Sequence, residues 1–174
     1  MTTASVAERQ APEYYDREDC PACLAGNLSW LLAKAHHALA TELSVAFTPL
    51  GITPRGHAVL SAAATGPHSQ KALADMVGLD KTTMVAAIDE LERGGLARRV
   101  LAPNDRRAHV IEVTAEGRRM ILTANQIVAR VQADVLEELG GDRGDELLAT
   151  LFRLVSARRA EPASCRSVRR DSPM

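Results

Sequence analysis

Residues 82–117 read TTMVAAIDELERGGLARRVLAPNDRRAHVIEVTAEG, and a change of period inside this run decides the fold. Up to Leu91 the apolar side chains recur at helical spacing, with Val85, Ile88 and Leu91 on one face. Gly94-Gly95 closes that helix. Beyond it, residues 96–101 (LARRVL) and 108–113 (AHVIEV) read as two short strands. Residues 102–107 between them (APNDRR) are rich in turn formers, so the pair reads as a β-hairpin.

Upstream, Ser69 caps a short helix bearing Ala72, Leu73 and Met76 that ends at Gly78, and Asp80 caps the helix that follows. Two short helices joined at Val77-Gly78-Leu79 have helix-turn-helix spacing, since glycine permits the left-handed backbone of a sharp turn. An ordinary pair of core helices has the same spacing. The hairpin directly after it turns the reading toward a winged helix.

Further out, Leu28 to Phe47 form an amphipathic helix that ends before Pro49. Thr53-Pro54 opens a second helix, reaching about Thr65. Thr114 starts a helix of about 24 residues that stops at Gly140-Gly141, and a last helix begins near Asp142. The expected order is four helices, a hairpin and two helices: a mainly α, winged helix-turn-helix chain with long N- and C-terminal helices. The expected divisions are a polar extension (1–23), an N-terminal helix (24–52), a winged helix-turn-helix region (53–114), C-terminal helices (115–159) and an Arg-rich tail (160–174).

Composition agrees. The 174 residues are 46% apolar and 25% charged, which excludes wholesale disorder, and only five aromatics occur, which favours helix on helix over a β-sandwich. No apolar run reaches the ~18 residues that a membrane span requires. The acidic N-terminus lacks a signal peptide's order, and three cysteines make no disulfide framework, so a cytoplasmic protein is expected. There is no GxSxG, P-loop or GxGxxG, and neither an enzyme nor a cofactor is expected.

Net charge alone, −1, leans away from nucleic acid. Its distribution does not. Residues 97–119 carry six arginines against three acids, whereas residues 1–19 carry two basic groups against five acids. A basic hairpin tip, here Arg106 and Arg107, is what a narrow and negative minor groove attracts.

The quoted run resembles the multiple-antibiotic-resistance (MarR-type) transcriptional regulators over roughly residues 24–158. The resemblance rests on Asp105-x-Arg107, Leu91-Glu92-x-Gly94-Gly95-Leu96 and Val113-Thr114-x-x-Gly117 taken together. It implies a winged-helix homodimer on a palindromic double-stranded operator, with repression the default. It implies too that the N-terminal helix (24–52) and the C-terminal helices (115–159) serve dimerisation and the central region (53–114) DNA binding. It further implies that Arg107 enters the minor groove while Asp105 holds its guanidinium. Where many relatives carry arginine in the reading helix, this chain has Ala86-Ala87, and Glu90 stands where a basic residue is common. Base readout is then expected from Lys81, Thr82, Thr83 and Gln70, with Ser69, Met84, Arg98, Arg99 and Arg106 completing the DNA-binding set.

The resemblance also implies a small-molecule effector, an aromatic acid or lipophilic anion, held between the first, second and fifth helices. Trp30, His37, His57 and Arg118 are the candidate lining residues: one ring for stacking and basic groups for an anion. A packed core aromatic is the plainer reading of Trp30. Cys20-x-x-Cys23 admits a redox alternative, a thiol switch at the head of the first helix. In peroxide-sensing relatives the reactive cysteine aligns with Ser29, so the resemblance does not transfer that role. Cys20, Cys23 and His36 open like a zinc site, yet no further ligand set supports one, and no metal is expected.

Overall fold

The structure is a computed structural model that describes residues 24–102, 105–140 and 142–159; the side chains of residues 105–107, 158 and 159 also fall outside the description. The elements are α1 (Leu28–Phe47), α2 (Pro54–Ala63), β1 (His68–Ser69), α3 (Gln70–Val77), α4 (Lys81–Arg93), β2 (Ala97–Ala102), β3 (Asp105–Val113), α5 (Ala115–Glu138) and α6 (Asp142–Arg159). The chain divides after Val128 into two compact units.

Local chemistry sets the helix starts. Asn27, Thr53 and Ser69 each accept a hydrogen bond from the backbone N–H three residues on, which satisfies an otherwise orphaned donor. Pro54 sits at the first position of α2, where a missing N–H costs nothing. Gly78 ends α3 in the left-handed region at φ 77°. At the end of α4, Leu96 N–H donates to Leu91 C=O and Gly95 N–H to Glu92 C=O, a Schellman closure that needs the positive φ of Gly95.

In the first unit, Phe47, Val59, Leu60, Leu73, Met84, Ile88 and Leu91 form a fully buried core. Phe47 comes from α1, and Ala124 of α5 is also fully buried. The helix-turn-helix unit therefore draws on both long helices for its core. The sheet is three-stranded and antiparallel, in the order β1-β3-β2. The hairpin is present, but β1 is additional: His68 pairs with Ile111 and Ser69 with Val110. That strand ties the start of α3 to the hairpin's inner strand.

β3 is longer than expected and begins at Asp105. The register runs regularly from Ala97↔Val113 to Leu101↔His109 and then shifts, so that Ala102 faces Asp105. In the second unit, Gly144 lies against Leu136, returning the start of α6 to the end of α5, while Leu147, Leu148, Phe152 and Val155 of α6 are exposed. Among the described residues no helix is long and apolar enough to cross a membrane.

Candidate nucleic-acid interface

The second helix of the helix-turn-helix, α4, begins at a doubly bonded cap. Asp80 Oδ1 accepts from the Thr83 N–H at 2.9 Å, and Oδ2 accepts from the Thr83 hydroxyl at 2.5 Å. The hydroxyl bond first, and then the amide bond, favour the ionised carboxylate and hold Asp80 below the ordinary aspartate range. Lys81 and Thr82 stand exposed beside this cap, and Ala86, Asp89 and Glu90 continue the exposed face. Thr83 is half-buried with its hydroxyl committed to Asp80.

Met84 does not belong to that face. It is fully buried, on the stripe Met84, Ala87, Ile88 and Leu91, and its thioether cannot reach a base. Of the expected apolar face, Ile88 and Leu91 are buried, whereas Val85 is only half-buried and Met84 and Ala87 complete the stripe. Ser69 is exposed, its hydroxyl capping α3 through the Ala72 N–H at 3.2 Å, and the half-buried Gln70 opens that helix.

On the hairpin, Arg98 pairs across the strands with Glu112 at 2.7 Å, and both are exposed. Arg99, expected among the DNA-binding residues, is tied to α4. Its guanidinium is held by Asp89 at 2.6 Å and by Glu92, and its backbone N–H donates to Glu92 Oε1 at 2.7 Å. Arg106 and Arg107 lie on β3 rather than in the connecting turn. Their side chains, and the expected pair between Asp105 and Arg107, lie outside the described residues.

The other two sequence motifs form one joint. Thr114 Oγ1 donates to the Gly95 carbonyl at 2.8 Å and accepts from the Gly117 N–H at 3.0 Å. The threonine thereby caps α5 and fastens it to the turn that ends α4.

The four candidate effector residues are not brought together. Trp30 is half-buried with Lys34 Nζ 5.8 Å from its ring centroid, a cation–π contact. His37 edges a shallow recess with Ala40, Thr41 and Ser44. His57 stands edge-on to Phe47 and bonds Asn125 Oδ1 at 2.8 Å and Ser61 Oγ at 3.2 Å, joining α2 to α5. Arg118 is exposed on α5. A hollow of ligand size among the described residues lies elsewhere, between α1, α2 and the α3–α4 turn. It holds about 570 Å³, is walled by Leu39, Leu43, Ala58, Val77 and Leu79, and has His36 and Arg55 as its basic groups. His37 was the expected lining residue and His36 its neighbour; successive helix residues point about 100° apart, so one position decides which recess is lined. Cys20 and Cys23, the redox pair, lie outside the described residues.

The MarR family model matches residues 50–108, from the turn before α2 to the middle of the hairpin. A regulatory protein named for the hcr operon of Thauera aromatica is 29% identical over 145 residues, covering 82% of this chain and 87% of the relative. Among solved structures, CouR from Rhodococcus jostii RHA1 bound to p-coumaroyl-CoA is 29% identical with a TM-score of 0.67, covering 80% of this chain and 95% of that one. CouR bound to a 23-mer DNA duplex is 28% identical with a TM-score of 0.67, over 76% and 94% of the two chains. A capped reading helix followed by a wing, in a chain whose residues 50–108 match the MarR family model and which spans most of the length of these regulators, makes this protein similar to the MarR family of winged-helix transcriptional regulators.

Proposed function

We propose that this protein is a homodimeric repressor that occupies a palindromic operator and is released by a small amphipathic anion. The observation that carries the DNA half is the exposed start of α4, where Lys81 and Thr82 flank a capped helix N-terminus beside the arginine-bearing hairpin. Helix N-termini and lysine receive phosphate, and threonine reads a base edge or a thymine methyl. Lys81, Thr82 and Gln70 are the base-reading set. Ser69, Arg98, Arg106 and Arg107 serve the backbone and minor groove, while Thr83 and Asp80 shape the helix start.

The homodimer accounts for large apolar side chains left in water: Leu28 and Val45 of α1, and Leu148 and Phe152 of α6, are each about half exposed or more. Patches of this kind mark association surfaces, and residues 24–52 and 115–159 supply them. A two-fold dimer carries two reading helices, whose half-sites lie about one helical turn, ~34 Å, apart.

The effector hollow has the volume of a small-molecule site and pairs apolar walls with two basic groups, the chemistry of an aromatic acid or its thioester. The likeness to a regulator bound to p-coumaroyl-CoA supports that class. Release is a population shift: ligand favours a dimer whose reading helices no longer match successive grooves. Selection of bound duplexes from a random pool tests the reading. A palindrome is the expected outcome, and an asymmetric site or no enrichment overturns it.

A further inference from the structure

Arg99 is the one arginine of the described hairpin whose guanidinium is shared between two carboxylates of another element. Asp89 and Glu92, three residues apart on α4, both point to it, and the Arg99 backbone N–H adds a third bond to Glu92. The cluster is only partly screened by water: the side chains of Arg99 and Glu92 are 31% and 30% exposed. Asp89 is more open, at 48%.

The position of Asp89 gives the cluster a meaning beyond bracing. Seven residues separate it from Thr82, and at about 100° per residue the two lie within ~20° on the helix surface. The carboxylate therefore stands on the face that carries the reading threonine, two turns further along. An uncompensated carboxylate there repels the phosphates that flank the groove. The segment from residue 69 to 96 is already acidic, with five acids against three basic groups.

Resting on the reading of α4 as the DNA-facing helix, we propose that Arg99 is a positioning and charge-masking residue. It fixes β2 against α4 and cancels the negative charge of Asp89 toward DNA, while making no phosphate contact itself.

Binding of wild type, Arg99→Gln, Asp89→Asn and the double variant to a random-sequence DNA duplex over a salt series tests this, with thermal melting of each free protein alongside. Arg99→Gln is expected to bind about tenfold more weakly, with the slope of log affinity against log salt unchanged because no counterion-releasing contact is lost. Adding Asp89→Asn to it restores most of the affinity. Asp89→Asn alone keeps the Glu92 pair, and so the fold, and binds severalfold tighter than wild type. A salt slope shallower by about one in Arg99→Gln, with no rescue by Asp89→Asn, makes Arg99 a phosphate contact and overturns the proposal. Wild-type affinity in Arg99→Gln overturns it too. Should Arg99→Gln fail to fold, equal or weaker binding by Asp89→Asn alone does the same. Failure of wild type to bind any duplex would instead remove the DNA-facing reading of α4.

Discussion

Gly117 and Leu96 meet backbone to backbone: a Cβ added at Gly117 would overlap the Leu96 carbonyl oxygen and stand 2.8 Å from Val113 Cγ1. The same Leu96 carbonyl accepts the Thr114 N–H at 3.0 Å. The glycine of Val113-Thr114-x-x-Gly117 thus allows the first turn of α5 to lie directly on the turn that closes α4. Its φ is ordinary, so space rather than backbone conformation is what demands glycine here.

Gly117→Ala is therefore expected to lower unfolding stability by about 3 kcal/mol, since a backbone carbonyl cannot move aside as a side chain tip does. Thr114→Ala, which removes a cap and a tie to Gly95, costs about 1–2 kcal/mol. Chemical denaturation of each variant checks both values, and a Gly117→Ala protein as stable as wild type would contradict the close packing.

Met84 and Thr82 sit two residues apart with opposite expectations. Met84→Ala empties a fully buried site and costs about 3 kcal/mol of stability. Thr82→Ala alters an exposed residue, so stability stays within about 0.5 kcal/mol while affinity for a selected operator falls. Paired melting and gel-shift measurements separate the two faces of α4.

What was legible in the sequence is what local chemistry decides. Thr53, Ser69 and Asp80 cap the helices they were expected to cap, because a short polar side chain and three orphan amides suffice to define the start. The hairpin followed from its change of period. β1 did not, since two residues carry no periodicity and its pairing with β3 spans more than forty positions. Met84, expected among the DNA-binding residues, belongs by the spacing 84, 87, 88, 91 to the core face. The Arg99 cluster joins residues seven and ten apart across two elements, which no single-element pattern reveals.

Asp80 makes stability depend on acid pH. Its folded pKa lies below its unfolded one, ordinarily about 3.9, because the Thr83 hydroxyl and N–H bond the charged form. The stabilisation is present above the unfolded pKa and disappears as pH falls through the folded value. Asp80→Asn keeps a capping oxygen but has no proton to take up. Between about pH 6 and pH 3 wild type should lose more stability than Asp80→Asn, and parallel denaturation curves would contradict this.

Arg107 bears on the wing. On a DNA-facing hairpin it neutralises phosphate charge in a narrow minor groove, so Arg107→Ala should weaken operator binding at least about tenfold and flatten the salt slope by about one. The contrast with Arg99→Gln, for which the slope is expected to hold, makes the pair informative. Unchanged binding of Arg107→Ala in a gel shift would remove the wing assignment.

Arg55 tests the proposed effector site. It lines the hollow with His36 at the start of α2, across from apolar Leu39 and Leu43, whereas Arg118 lies exposed on α5 and does not line it. An anion seated there loses its principal counter-charge in Arg55→Ala, and ligand-induced release from DNA should need at least about tenfold more ligand, a charge-assisted bond being worth about 1.5–3 kcal/mol. DNA affinity without ligand should stay near wild type. Arg118→Ala should release normally. Titration of each DNA complex with a panel of aromatic acids and their thioesters reads both quantities, and loss of response in Arg118→Ala with a normal response in Arg55→Ala would move the effector away from this hollow.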